Sequence, residues 1–425
     1  MRETPKGDRL ALGLFGRVNA GKSSLLNLIA GQDVSIVSEV PGTTTDVVEK
    51  AMELLPLGPV LLLDTAGVDD RSELAARRVE RTARIFSRAH LAVLVVESGV
   101  WGEPEEEVVR ACAGRKLPLV AVVNKTDLRP PEPAFLEAVR AKAAKVLTVS
   151  SVGKGGRDAF LHAFKGALID LVPADFVQPP PLLSDLVAAG GLVVFVVPID
   201  LEAPKGRLIL PQVQSIREAL DADAMCLTVK ESGLKAAFAS FSRRPDLVVC
   251  DSQAVRQVLD DTPPGVAATT FSILFARAKG DLVEAARGGA RLRFIRPGER
   301  VLIAEGCTHH AVDGDIGRVK LPRWLREAAG GEVLVDVVSG KDFPAELGGY
   351  RAVIHCGGCT LNRREMLSRV EAARSAGTSV TNYGVAIAAL QGVARRVLEP
   401  FPQARRAYEQ EEGFASARAD AGGRR

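Results

Sequence analysis

The sequence predicts an α/β chain of three domains, in which an N-terminal parallel sheet is followed by two smaller α/β domains. Three observations carry this. The chain has 425 residues, which at about 150 residues per domain is most simply three domains. Residues 10 to 170 alternate apolar strand runs with amphipathic helical stretches, the pattern of a parallel, doubly wound sheet. A proline-rich string, VPADFVQPPPLL from Val172 to Leu183, interrupts that alternation and predicts a stiff extended linker.

In the first domain, residues 1–173, the expected strands are Leu10–Phe15, Val60–Leu63, Leu91–Val96, Leu119–Val123 and Val146–Val149. Each is an apolar run flanked by polar or turn residues. The linker occupies 174–181. A second unit, 182–276, carries strand runs LVVFVVPI, AMCLTVK and LVVC, and a helix PQVQSIREALDA with Pro211 in its first turn. A third, 277–400, carries RVLIAE, EVLVDVV, RAVIHC and TSVTNYG. Residues 401–425 are polar and read as a mobile helix or tail.

Composition narrows the function classes. Hydrophobic residues make up 47% and charged residues 25% of the chain, which excludes a mostly disordered protein. Lys and Arg exceed Asp and Glu by 55 − 52 = 3, too small an excess for a nucleic-acid wrapper. The apolar stretch Leu186–Ile199 is too short to span a bilayer and contains two glycines and a proline, so it reads as a core element. The first ten residues lack the apolar centre of a signal peptide. A reducing, cytoplasmic setting is therefore expected, with neither membrane nor nucleic acid as partner. There, clustered cysteines mean metal or redox chemistry more often than disulfides.

The strongest motif is Gly16-Arg-Val-Asn-Ala-Gly21-Lys22-Ser23, which lies between an apolar strand and a helix. Glycines let backbone amides cradle phosphate oxygens, and the helix N-terminus adds favourable dipole charge. Gly16, Asn19, Ala20, Gly21, Lys22, Ser23 and Ser24 form this cradle. Lys22 reaches the outer phosphates, and the Ser23 hydroxyl suits Mg2+. Further along, Asp64-Thr-Ala-Gly67 follows a strand; Asp64 suits a magnesium-bound water and the Gly67 amide a γ-phosphate contact. Asn124-Lys125-Thr-Asp127 follows the next-but-one strand. Its carboxylate accepts two hydrogen bonds from guanine that adenine cannot supply, which favours GTP over ATP. Ser150 and Ser151, after the last strand, are positioned to offer a backbone amide to the base oxygen.

Together these strings predict a P-loop GTPase fold and resemble the translation-factor-like regulatory GTPases, in the branch carrying Pro41-Gly-Thr-Thr-Thr-Asp46 in the first switch. The resemblance implies that Thr44 ligates Mg2+ beside Ser23. Lys22, Thr44, Asp64 and Gly67 are then the residues of hydrolysis. Val68 stands where many GTPases place a water-orienting glutamine, so slow turnover is expected. In the potassium-activated branch an asparagine at the position of Asn19 helps bind K+, which implies stimulation by K+ over Na+.

The second concentration of chemistry lies in the third unit. Cys307-Thr308-His309, followed by His310, and His355-Cys356-Gly357-Gly358-Cys359 hold three of the six cysteines and three of the five histidines. Each string follows an expected strand, so in a parallel sheet both emerge at the carboxyl edge. A helix after the CxxC is expected to turn its N-terminal amides toward the sulfurs. Three thiolates with imidazoles at hand admit a structural Cys3His zinc site or an iron–sulfur cluster with one exchangeable iron position. Cys112, Cys226 and Cys250 read as core thiols.

A GTPase domain joined to this cysteine–histidine pattern resembles HydF, the family of maturation GTPases of [FeFe]-hydrogenases, over nearly the whole chain to about residue 400. The resemblance implies GTPase, dimerisation and cluster-binding domains (277–400 for the last). It implies a [4Fe-4S] cluster on Cys307, Cys356 and Cys359, with His309 or His355 as candidates for the fourth iron position. It also implies homodimers, with tetramers as a larger form. The implied role is a scaffold that receives a di-iron subcluster precursor from radical-SAM maturases and passes it to apo-[FeFe]-hydrogenase. The competing reading is a ribosome- or tRNA-associated GTPase with a structural zinc domain.

Overall fold

The computed structural model describes residues 4–31, 48–64, 75–152, 156–199, 208–306, 315–340 and 343–422. They form two compact units, Met1–Pro179 and Pro180–Arg425.

The first unit is built on a six-stranded sheet. Its strands are β1 (Leu10–Phe15), β2 (Val48–Leu54), β3 (Gly58–Asp64), β4 (Leu91–Glu97), β5 (Leu119–Asn124) and β6 (Lys145–Thr148), in the order β2-β3-β1-β4-β5-β6. All neighbours are parallel except β2, which runs antiparallel to β3 at the edge. Helices cover both faces, so the central strands are buried on both sides and read as unbroken apolar runs rather than alternating ones. Along β1, Leu10, Leu12 and Leu14 pack on one face with Leu25 and Phe164, while Ala11 and Phe15 pack on the other with Ile85 and Phe86. The edge strand β2, VEKAMEL, carries too many polar residues to register as such a run.

The expected extended linker is only partly extended. Ala174–Val177 form a helical turn, and Phe176 packs on the core and tilts against the His90 ring at 4.8 Å. Its aromatic ring makes this segment an anchor, which the prolines around it conceal. His90 is structural: its Nδ1 accepts a hydrogen bond from the Ala11 amide at 2.9 Å.

The second unit holds two parallel four-stranded sheets. In the first, β7 (Leu192–Val196), β8 (Met225–Val229), β9 (Leu247–Cys250) and β10 (Ala267–Thr270) take the order β10-β9-β7-β8. In the second, β11 (Arg300–Glu305), β12 (Leu334–Ser339), β13 (Ala352–His355) and β14 (Ser379–Asn382) take the order β12-β11-β13-β14. One hydrophobic core runs through both, from Leu182 and Phe195 through Phe275 and Ile303 to Tyr408. The C-terminal segment is no free tail. Pro402–Gly422 is a helix whose Ala404, Ala407 and Tyr408 are buried at helical spacing. Glu411 pairs with Arg291, and Glu412 with Arg293 and Arg395. Among the described residues, no helix is long and apolar enough to cross a membrane.

Candidate functional site

The phosphate loop joins β1 to the helix Lys22–Ala30. Its conformation requires its glycines. Gly21 has φ 94°, and a Cβ there would lie 2.1 Å from Asn124 Nδ2. A Cβ on Gly16 would lie 2.4 Å from the Val95 carbonyl oxygen. Asn19 at the loop's crest also has positive φ, 63°, a region that asparagine tolerates better than most residues. Lys22 Nζ donates to the Gly16 and Arg17 carbonyls at 2.9 and 2.8 Å, so its buried ammonium is held under the arch of the loop.

Asn124 is more than a base-side residue. Buried at the end of β5, its Nδ2 donates to the Ala20 carbonyl at 3.0 Å and its Oδ1 accepts from the Ser151 amide at 3.0 Å. One side chain thus ties the phosphate loop to the segment after β6. The Ser151 amide is engaged by this bond rather than directed at a base. Lys125 pairs with Glu97 at 2.6 Å. A hydrogen bond from Ser150 holds the Asp127 carboxyl below the usual carboxylate range, which keeps it ionised. Asp64 closes β3. Thr44, Gly67 and Val68 lie outside the described residues.

The sequence reading missed one member of the loop's surroundings. Arg17 donates through Nε and Nη2 to the Glu105 carboxylate, both at 2.7 Å. Glu105 also accepts from the Gly102 amide at 2.8 Å. This buried carboxylate fixes the loop to the start of the helix Glu103–Gly114. Only an unusually acidic helix start, EPEEE, signals it in the sequence.

The cysteine strings follow adjacent strands, β11 and β13, which pair in parallel from Val301↔Ala352 to Ala304↔His355. The pairing continues past β13, since the Cys356 amide donates to the Ala304 carbonyl at 2.9 Å. At the carboxyl edge, the Gly306 amide donates to Cys356 Sγ at 2.9 Å and the Gly358 amide approaches it at 3.4 Å. Thr360 Oγ1 donates to the Gly306 carbonyl at 2.9 Å. The residue preceding Cys307 is therefore bound to the CxxC turn on both of its backbone polar groups. A Cβ on Gly306 would lie 3.5 Å from Cys356 Sγ and 3.1 Å from the Leu361 side chain. Cys307, His309 and His310 lie outside the described residues. Among the described residues, no three His, Cys, Asp or Glu side chains form a metal-binding group.

The Gly306 and Gly358 amides that reach Cys356 come from the two loops. The helix after the CxxC begins at Arg363, and the Asn362 side chain caps it by accepting from the Glu365 amide. His355 is buried, with Nδ1 3.0 Å from the Cys356 carbonyl and Nε2 2.9 Å from Arg369 Nη1. Burial, reinforced by Arg369, pushes its pKa down to about 3. A neutral ring that donates from Nδ1 and accepts at Nε2 satisfies both contacts. Arg369 is itself buried, and also bonds Glu365 and the Gly340 carbonyl. At the end of β11, Glu305 is bonded by Arg318 and Ser339 and lies 3.5 Å from the Tyr383 hydroxyl. Glu365 lies one helical turn from Arg369, but His355 and the Gly340 carbonyl, like Arg318 and Ser339 at Glu305, come from other segments that the local sequence does not mark. Cys112 and Cys250 are buried and Cys226 is half-buried; burial pushes the Cys250 thiol far up.

Comparison with known proteins fits this division. Residues 11–125 match a family described as 50S ribosome-binding GTPase, residues 182–280 the hydrogen maturase F dimerization domain, and residues 283–400 the hydrogen maturase F tetramerization domain. The chain is a TrmE/Era-like GTPase domain fused to hydrogen maturase F-type dimerisation and tetramerisation domains. The chain is 36% identical over 145 residues to the tRNA modification GTPase MnmE of Nitrosospira multiformis, covering 34% of this chain and 32% of that protein. It is 42% identical over 144 residues to MnmE of a Synechococcus strain, covering 33% and 30%. The chain thus spans about a third of the length of these curated relatives. Among solved structures, Aquifex aeolicus Era bound to GDP.AlF4− aligns over 52% of this chain and 92% of its own, at 16% identity and a TM-score of 0.33. The cysteine segments fall within the residues matched to the tetramerization domain.

Proposed function

We propose that this protein is a GTP-hydrolysing scaffold that holds a [4Fe-4S] cluster on Cys307, Cys356 and Cys359. It assembles or delivers a di-iron subcluster precursor to apo-[FeFe]-hydrogenase, working as a homodimer or tetramer with radical-SAM maturases as donors. The observation that carries this reading is the contact between the two cysteine segments, made by the Gly306 amide on Cys356 Sγ. It occurs in a domain of the hydrogen maturase F type. Amide donors aimed at a sulfur lower the cost of a thiolate there, and are the kind of contact that tunes iron–sulfur centres. The cluster would supply an iron position open to an incoming group; the protein's part is to hold the three sulfurs, with the Gly306 and Gly358 amides on Cys356 and the Thr360 hydroxyl fixing the Gly306 carbonyl.

In the GTPase domain, Lys22 and the loop amides bind the phosphates, Asp127 selects guanine, and Ser23 with Thr44 would hold Mg2+, which neutralises phosphate charge. With Val68 unable to orient water, K+ at Asn19 would offset transition-state charge. Hydrolysis equally fast in K+ and Na+ would remove that part of the reading.

Purification without oxygen, followed by iron, sulfide and zinc analysis and a visible spectrum, tests the scaffold. Iron and sulfide in equal amounts, lost on Cys356→Ala or Cys307→Ala while the far-ultraviolet circular dichroism is kept, is the expected result. Stoichiometric zinc without sulfide would instead support a zinc-stabilised GTPase.

A further inference from the structure

Two basic side chains cross between the last helix of the dimerisation domain and the CxxC turn. Lys279 ends the helix Phe271–Lys279. It is buried, and its Nζ donates to the carbonyls of Cys359 and Leu361 at 3.2 and 3.1 Å. In the opposite direction, Arg363 at the start of the following helix donates through Nη1 to the carbonyls of Ala278 and Gly280 at 3.0 and 2.9 Å. Each segment thus neutralises the other's exposed carbonyls. The last carbonyls of a helix carry negative partial charge and have no partner within it, so a guanidinium is well matched to them. The Phe275 ring lies 5.6 Å from Lys279 Nζ and closes that side.

We infer that Lys279 and Arg363 form a reciprocal clamp that makes the position of Cys359 depend on the dimerisation domain. An ammonium does not stay buried without acceptors, and the turn supplies two carbonyls to Lys279. Lys279 holds the backbone of Cys359 through its carbonyl. Lys279 is accordingly a positioning residue for the cysteine site. Movement of the helix Phe271–Lys279 on self-association or partner binding is transmitted to one sulfur ligand without touching the metal.

This rests on the cysteine reading above only for its consequence; the clamp itself is a property of the metal-free chain. The test uses full-length apo protein in hydrogen exchange, read on the amides of residues 356–361, with strand residues Val301–Ala304 as the internal measure of folding. Loss of a charge-assisted hydrogen bond shifts an opening equilibrium about tenfold or more. Lys279→Met is therefore expected to speed exchange at 356–361 about tenfold while β11 is unchanged, and Lys279→Arg to restore much of the protection. If Lys279→Met loses β11 protection as well, Arg363→Met probes the same clamp from its other end and is expected to loosen the same amides. Unchanged exchange at 356–361 in a folded variant of either residue overturns the clamp. Iron and sulfide bound after anaerobic reconstitution are measured in parallel: a cluster in the wild type that falls about tenfold in retention in Lys279→Met supports the clamp's role. Loosened amides in a chain that never takes up iron would leave the clamp standing and remove the cluster.

Discussion

The Asn124 strut makes a quantitative prediction about how the two halves of the nucleotide site are coupled. Asn124→Ala removes its bonds to the Ala20 carbonyl and the Ser151 amide, each worth about 1 kcal/mol net. Gly21→Ala forces a side chain onto φ 94°, at about 1–2 kcal/mol. It also drives the new methyl into Asn124 Nδ2, only 2.1 Å from the ideal Cβ position, so the amide must swing away and forfeit its bond to Ala20, roughly another 1 kcal/mol. Nucleotide binding needs the loop in this geometry, so these costs appear as lost GDP affinity. Each single variant should weaken GDP binding about thirtyfold, since 1.4 kcal/mol is a factor of ten. In the double variant the collision has no partner and only the backbone cost is added. Its loss should therefore fall short of the summed single losses by about 1 kcal/mol. Isothermal titration of GDP into the four full-length proteins measures this. Strict additivity, within the usual few tenths of a kcal/mol for independent sites, would refute the claim that Gly21 is required because Asn124 lies against it.

Three further outcomes are expected. Asp127→Asn replaces a double acceptor with a group that offers a donor, so GTP affinity should fall by at least about 2 kcal/mol while xanthosine triphosphate, with a carbonyl in place of the guanine amino group, gains; competition binding distinguishes the two. Glu412→Ala strips the shared carboxylate from Arg293 and Arg395 and should destabilise the second unit by about 1–3 kcal/mol, seen as a lower melting temperature and faster exchange in the helix Pro402–Gly422. Tyr408 is buried, and its phenol is pushed up from 10 to about 12. Its folded pKa is raised, so the stability tied to its neutral form is complete below pH 10 and is lost as pH rises to 12. Urea unfolding of wild type should weaken through that window, and Tyr408→Phe should flatten the slope.

What the sequence disclosed follows from where residues find their partners. Strands buried on both faces, such as β1, β4 and β5, announce themselves as apolar runs, and the phosphate loop's glycines and lysine are contiguous. The strand β2 hides because it is an antiparallel edge with polar residues, and β10 because AATT is short and buries its threonines. The docked C-terminal helix looked like a polar tail, since its apolar stripe is narrow and its glutamates are neutralised by arginines more than 100 positions away for Arg291 and Arg293. The same limit applies to the sites. That the two cysteine strings follow strands of one parallel sheet was legible from the alternation of strands and helices, as were the nucleotide motifs. Glu105 under Arg17, Arg369 against His355, and Lys279 beneath Cys359 were not. Each is a charge made tolerable inside the protein by a partner that only folding brings near.

The continuous apolar interior of the second unit, running from Leu182 to Tyr408, has a practical bearing on how the chain can be dissected. Its two sheets look like separable modules, yet severing them near residue 281 would leave Phe275, Ile303 and Val385 facing water on the two fragments. A fragment meant to isolate the thiol-bearing half would therefore tend to aggregate, and swapping it between homologues would require the matching helices from both sides of the cut to travel together.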